Sequence, residues 1–354
     1  MTQHFLLSAK ARTLSLASVL RMTDDTAEAA FVAIRWAATE GKPICPHCEC
    51  PTVYACRRPS GAARWRCKAC RKDFSVTSGT LFAFHKMLLR SYLTAIVIFC
   101  NEVKGKSALA LSRDLDCQYK TAFVLAHKLR EAMAVNLKGL HLGGDGETVE
   151  IDGAYFGGYI KPDNHKENRR DRRLAKNQNG KRRVVVVIRE RGGRTLPAVF
   201  KSEAASLAFI ASRVAKGTEV QADEAPGWNA LAARYAMQRI DHQSLYSTGA
   251  GVYTNGAEGF FSRMRRAEIG HHHHISGAYL VRYAQEAAFR EDARRVDNGS
   301  QVRKVVELAL AARPSVDFSG YWQRAAGGGV SRTSRHSACK PSPVRLISPF
   351  CTMR

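Results

Sequence analysis

Three carboxylates and four cysteines carry most of the chemistry available to this sequence. Asp152 closes the short β-branched run Val149-Glu150-Ile151 and is followed at once by Gly153. That pattern predicts a buried strand ending in a carboxylate, with glycine leaving space around it. A buried carboxylate is costly unless something pairs with it, and a hard divalent cation is a common partner. A single Asp after a strand is more often a turn or cap residue, so its weight depends on company further along the chain. Asp223 ends a second strand-like stretch, Thr218–Ala222. Glu258 then follows in a segment that opens at Thr254-Asn255 and sets Glu258, Ser262 and Arg265 on one helical face, with Phe261 and Met264 on another. Three converging acids suit two magnesium (or manganese) ions about 3.5–4 Å apart. Such a pair activates an attacking oxygen and stabilises a leaving one in phosphodiester cleavage or transfer.

The cysteines form two C-x-x-C knuckles, Cys45-Pro46-His47-Cys48 and Cys67-Lys68-Ala69-Cys70, with residues 49–66 between them. Two such turns complete a tetrahedral four-thiolate site, and the spacing is that of a ribbon holding one structural zinc ion. Redox pairs are the alternative reading, though two knuckles flanking a hairpin seldom serve that purpose. The segment between reads as short strands, Thr52-Val53-Tyr54 and Arg64-Trp65-Arg66, while Cys50 and Cys56 are surplus and could compete as ligands. Arg57, Arg58, Arg64, Arg66, Lys68, Arg71 and Lys72 make the ribbon basic. That suits phosphate contact, or else a solvated face.

The elements that must position these groups follow in order. Residues 1–40 read as an amphipathic helical segment with Thr23-Asp24-Asp25 as a cap, and 41–80 as the ribbon. Residues 81–140 read as three helices, Leu88–Phe99, Ser107–Leu115 and Gln118–Ala134. The last two have helix-turn-helix layout, with Tyr119, Lys120, Thr121, His127, Lys128 and Arg130 on the candidate groove-reading helix. A plain three-helix bundle fits the same pattern. Residues 141–300 turn to strands: Thr148 onward, Arg183–Arg189, Thr195–Phe200, Thr218–Ala222 and Gln238–Tyr246. A short helix is predicted over Ser206–Val214 and another over Pro226–Met237. Between the first two strands, His165–Arg183 is a basic loop. Its Arg169, Arg170, Arg172 and Arg173 suit a phosphate backbone, although such a composition could simply be disordered. His271–His274 reads as a DNA-contacting or capping cluster, with adventitious metal binding as the lesser alternative. Residues 301–354 read as a C-terminal helix and a flexible basic tail.

Lys and Arg number 55 against 31 Asp and Glu, a formal net charge of +24. So large an excess points to a polyanionic partner, nucleic acid first, with a basic soluble protein or a membrane-surface binder as the plainer readings. No apolar run approaches the roughly 18 residues of a membrane-spanning helix. The N-terminus lacks a signal-peptide layout, so a cytoplasmic, nucleoid-associated protein is expected. Ten cysteines fit that compartment if the clustered ones hold metal.

The cysteine ribbon, the helix-turn-helix, IDGAYFGG, QADEAPGW, YTNGAEGFFSRMRR and ISGAYLVRYAQEAAFRED together resemble the zinc-ribbon-bearing DDE transposases of bacterial insertion sequences. The resemblance runs from about residue 40 to 295. It implies a multidomain protein: zinc ribbon, helix-turn-helix bundle and an α/β ribonuclease-H-like domain with a mixed five-stranded sheet. In that arrangement strands one and four are neighbours, which would set Asp152 beside Asp223. It further implies two divalent metals, a homo-oligomer on DNA, and cleavage and joining of terminal inverted repeats without a covalent enzyme intermediate. Asp152 and Asp223 match the first two acids. The third position varies between Asn and Glu in the family, and this chain holds both Asn255 and Glu258. Glu258 is the expected ligand because a carboxylate neutralises cation charge, and Asn255 the expected helix cap or support. Arg265 stands where members usually have Lys, exchanging a point charge for a fork. Tyr253 stands where His is expected. Another ribonuclease-H-like nuclease such as a resolvase would share the acids without needing the ribbon. A non-catalytic DNA-binding regulator would not need the acids.

Overall fold

The computed structural model describes residues 4–57, 61–157, 180–240 and 253–326. Arg169, Arg170, Arg172 and Arg173 lie outside them, as do residues 241–246 of the predicted fifth strand and the chain from 327 onward. The chain divides into two units, Met1–Ser319 and Gly320–Arg354. In the second, the described part is a short helix, Tyr321–Ala326.

The first unit has two hydrophobic cores. The first begins with helices α1 (Leu16–Leu20) and α2 (Asp24–Arg35). Thr23 Oγ1 accepts from Thr26 N at 3.1 Å to cap α2, and Asp24 and Asp25 suit the positive end of its dipole. Three short antiparallel strands follow, β1 (Val53–Arg57), β2 (Ala63–Cys67) and β3 (Asp73–Phe74), in that spatial order. Their inner aromatics pack edge-on against Trp36, with Trp36 and Trp65 centroids 5.3 Å apart. Helices α3 (Leu89–Asn101), α4 (Ala108–Asp114) and α5 (Tyr119–Val135) continue this core. A helix from much later in the chain, Asn298–Ala311, closes it with Val302, Val305 and Val306.

The second core surrounds a five-stranded sheet of β4 (Thr148–Phe156), β5 (Arg183–Glu190), β6 (Thr195–Phe200), β7 (Glu219–Asp223) and β8 (Ala236–Ile240). The order is β6-β5-β4-β7-β8. β5 runs antiparallel to β4 and β6, while β4–β7 and β7–β8 are parallel, so the sheet is mixed as expected. Val184–Ile188 is uniformly buried. An unbroken apolar run is what a strand covered on both faces requires. Helix α6 (Leu207–Arg213) precedes β7; α7 (Asn255–Ala267) and α8 (Leu280–Asp292) follow β8, and the helix at Asn298–Ala311 is α9.

Two expectations change. Residues 226–237 are not one helix: Pro226–Ala233 is a 3₁₀ turn, and the chain is already in β8 at Ala236. Tyr235 Oη donates to Val214 O at 3.0 Å and stops the turn, and parallel pairing of Ala236 with Glu219 then outweighs helix propensity. The polar residues singled out on α5 also divide. Tyr119, Lys120 and Thr121 are exposed in its first turn, whereas His127, Lys128 and Arg130 are buried. Burial holds the His127 imidazole neutral, its pKa lowered to about 3, among the rings of Phe123, Tyr279 and Phe318. The exposed residues of this helix are those of its first turn.

Arg130 joins the cores. Its Nε donates to Glu286 Oε2 at 2.7 Å, and Arg290 Nη2 donates to Glu286 Oε1 at 2.6 Å. Arg290 also donates to the Phe99 carbonyl at 2.7 Å. Glu286 is 3% exposed, so α5, α8 and α3 meet at one buried charge. Glu286→Ala leaves two guanidinium groups uncompensated and should cost about 3–5 kcal/mol, read from urea unfolding. The two cations hold the Glu286 carboxyl down to about 2 against the opposing effect of burial. With the folded value below the unfolded one, this stabilisation is present above about pH 4.5. It should fade as pH falls toward 2. In Glu286→Ala, that part of the acid dependence should be missing.

Candidate active site and metal centre

The parallel pairing of β4 with β7 runs Thr148–Glu219, Val149–Val220, Glu150–Gln221 and Ile151–Ala222. One residue further, that register sets Asp152 level with Asp223 on neighbouring strands, roughly 4.8 Å apart in backbone spacing. Asp223 Oδ1 accepts from Trp228 Nε1 at 2.6 Å and from Ala225 N at 3.2 Å, which orients its carboxylate. Asp152 Oδ1 accepts from Gly153 N at 2.6 Å. The Asp152 carboxyl is raised to about 7, first by burial and then by the charge of Asp223, with smaller contributions from Glu258 and Glu203. Asp223, Glu258 and Glu203 are therefore close enough at one end of the sheet to act on the same Asp152 carboxyl.

Glu258 reaches this end because α7 is pinned at its start. Glu150, 2% exposed, lies two residues before Asp152 on the same face of β4. Its Oε2 accepts from Ala257 N at 2.9 Å, satisfying one of the helix's free amides. Arg191 Nε donates to Glu150 Oε1 at 3.4 Å, and Arg191 Nη2 donates to Gln221 Oε1 and to Tyr253 O. Gln221 Oε1 also accepts from Tyr253 N at 2.9 Å. The Arg191 guanidinium stands 3.7 Å from the centre of the Tyr253 ring, which gives the tyrosine a packing role where His was expected. Asn255, expected to cap α7, is its first helical residue; the cap position falls to Thr254, with no side-chain cap bond. Glu150 takes over the capping work from across the sheet. Two turns beyond Glu258, exposed Arg265 lies over Phe156 at 5.4 Å, further along the same face of β4.

Glu203 was not singled out in the sequence. It stands three residues past the end of β6, just before the 3₁₀ turn Ala204–Ser206 that leads into α6. A Cβ on Gly153 would meet Glu203 Cγ at 3.0 Å, and one on Gly227 would meet Glu203 Cβ at 2.8 Å. Those two glycines are the signal that a side chain from elsewhere passes close to the acids. Burial and the Asp223 charge raise the Glu203 carboxyl, and Arg182, stacked 4.2 Å from the Tyr155 ring, offsets them.

The cysteines are closer-knit. Cys45 and Cys70 Sγ atoms are 3.6 Å apart, Cys48 and Cys67 are 3.5 Å apart, and all four lie within 4.8 Å of one another. A tetrahedral ion with Zn–S bonds of about 2.3 Å would space its sulfurs by about 3.8 Å. Each knuckle turns through a left-handed residue, Glu49 or Arg71, whose amide donates to the Cys45 or Cys67 carbonyl. Cys50 and Cys56 Sγ atoms point instead at the carbonyls of Thr52 and Tyr54. Among the described residues, no acidic group closes to that single-ion spacing. Nor do the histidines: His271 and His272 end a π-turn, and His272 packs on Tyr283 at 4.7 Å, its pKa lowered to about 4 by burial.

Residues 22–73 match the model of a transposase zinc-ribbon domain, and residues 141–292 that of the ISXO2-like transposase domain. The two matches together take in more than half of the chain. The chain belongs to the zinc-ribbon-bearing transposases. A relative from Halobacterium salinarum, an uncharacterised protein in the transposable element ISH50, is 24% identical over 286 residues, 78% of this chain and 94% of that one. The matched segments of the transposase contain all four knuckle cysteines, Asp152, Asp223, Asn255, Glu258 and Arg265. Among the described residues, no helix is long and apolar enough to cross a membrane.

The purified transposase should carry close to one zinc ion per chain. Cys67→Ser should lose it together with ribbon folding, as read by elemental analysis and far-ultraviolet dichroism. Unchanged zinc in that variant would contradict the assignment.

Proposed function

We propose that this transposase binds the terminal inverted repeats of its insertion sequence, as a homo-oligomer on the DNA. It cleaves and joins DNA at a divalent-metal site in a ribonuclease-H-like domain. One observation carries the reading: the β4–β7 register sets Asp152 and Asp223 side by side inside the segment that matches the transposase domain. The strand order β6-β5-β4-β7-β8, with only β5 reversed, supports the ribonuclease-H-like assignment.

The donor set suits magnesium or manganese, which take hard oxygen ligands. Asp152, Asp223 and Glu258 would hold the ions, and a raised carboxyl among like charges has the electrostatics of a site that gains by receiving a cation. A bound pair supplies activation of the attacking oxygen and neutralisation of the leaving one. The rest is done by the chain. Trp228 Nε1 and Ala225 N fix the Asp223 oxygen that they share. Glu150 and Arg191 hold the start of α7, so Glu258 approaches the sheet end at a set height. Arg265, beyond it, offers a guanidinium fork to a backbone phosphate. Tyr119 and Lys120 at the exposed end of α5 are the groups for reading base edges, and Arg169, Arg170, Arg172 and Arg173 for sequence-independent phosphate contact.

Glu258→Gln should abolish cleavage of end-containing DNA and leave zinc content, folding and DNA affinity intact. Asn255→Ala should lower activity only in part. An active Glu258→Gln beside a dead, folded Asn255→Ala would move the third catalytic position to Asn255. Separately, the ion must displace a proton from Asp152, whose carboxyl is neutral below about pH 7. Magnesium or manganese affinity should therefore weaken as pH falls through 7. Calorimetry near neutral pH, in buffers of different ionisation heat, should register proton release on binding. No proton release in either buffer would contradict the account.

A further inference from the structure

The turn between the zinc ribbon and α3 spends its internal bonding on holding one aromatic ring in water. Thr80 Oγ1 donates to Thr77 O at 2.7 Å and accepts from Phe82 N at 3.2 Å, and both threonines are 2% exposed. Arg35, half-buried, donates to the carbonyls of Ser75, Val76 and Ser78. Leu81 N donates to Ala309 O of α9 at 3.2 Å. Phe82 is fully buried, its ring 5.0 Å from that of Tyr92. On the far side, His85 Nδ1 donates to Met87 O at 2.7 Å and its ring meets the edge of Tyr92.

Between these two anchored positions stands Phe84, 88% exposed, more than any other large apolar side chain among the described residues. Its φ is +61°, a left-handed conformation that a bulky L-residue rarely adopts. A flexible turn would relax that backbone and fold the ring down; this one is clamped at both ends. Beside the ring opens a cleft of about 420 Å³, lined by His47, Ser75, Thr77, Ser78 and His85. Hydroxyls and imidazoles supply both donors and acceptors.

We propose that Phe84 and this cleft form a stacking site for a nucleobase that has left its helical stack in bound DNA. An aromatic face takes any base, and the hydroxyls and imidazoles behind it address the base's polar edge. Charge selects nucleic acid over a second copy of the chain. Lys42, Arg66, Lys68, Arg71, Lys72 and Lys86 are exposed along the same ribbon-and-turn segment. The exposed acids there are Glu49 and Asp73, and Arg64 already pairs with Asp73. Two such surfaces repel each other and attract a phosphate backbone. The inference rests on the DNA-binding part of the proposed function, and assigns the ribbon side of the protein a task separate from the acids.

The test uses the full zinc-loaded chain and two short duplexes of the same length, one fully paired and one with an internal mismatch bearing 2-aminopurine. The wild type should bind the mismatched duplex more tightly and change the 2-aminopurine emission. Phe84→Ala should abolish that change and weaken mismatch binding roughly tenfold, with little effect on the paired duplex. Phe84→Trp should restore both. Phe84→Gly is the control for folding: glycine accepts a positive φ freely, so this variant should melt no lower than wild type and still lose the mismatch preference. Equal binding of both duplexes by wild type and all variants overturns the stacking site alone. Failure of the wild type to bind either duplex overturns the DNA-binding reading along with it. Loss of self-association in Phe84→Ala, with DNA affinity unchanged, assigns the surface to a second copy instead.

Discussion

The parallel pairing of β4 with β7 is the constraint on which the candidate site depends. The strands run in the same direction, and β4 continues past Asp152, where the sequence suggested an end, to Phe156. Its pairing with β7 stops at Ile151–Ala222, so the ladder leaves Asp152 and Asp223 at one level. Side chains in a strand alternate faces, and Asp152 therefore shares a face with Glu150 and Phe156. Glu150 reaches Ala257 N and Phe156 lies under Arg265, so α7 is held along that face at both ends. A slip of one residue would turn Asp152 to the other side of the sheet and separate it from Glu258.

Burial makes this arrangement expensive. Asp152 keeps its proton to about pH 7 because it has lost water and gained negative neighbours. The rest of the fold absorbs such costs with buried ion pairs: Glu150 with Arg191, Glu286 with Arg130 and Arg290, and Glu291 with Arg189 and Arg263. These pairs are ones in which removing a partner is costly, and they connect α5, α7 and α8 to the sheet. At the sheet end Asp152 keeps a proton instead, and a polyanionic substrate cannot take that proton's place. A cation can.

The legible parts of the sequence were those with a local pattern. Cys45, Cys48, Cys67 and Cys70 declare a shared ligand by spacing alone, and their sulfurs do converge. Asp152 and Asp223 stand out because each closes an apolar run, which is a statement about neighbours one or two residues away. Glu203 has no such pattern; only packing against Gly153 and Gly227 brings it to the acids. The same is true of Glu150, Arg191 and Gln221, whose bonds span 30 residues or more in sequence. His127, Lys128 and Arg130 read as cations on a helix face, yet each is buried. Helical periodicity reports a face, and says nothing of which charges a second helix will cover.

The most direct measurement of the central claim is anomalous scattering from crystals of the zinc-loaded protein soaked in manganese chloride. The account predicts manganese bound by the carboxylates of Asp152 and Asp223, with Glu258 as the third side chain, and zinc alone among the four cysteines. Manganese absent from the sheet end, or held only by the histidines at 271–274, would contradict it.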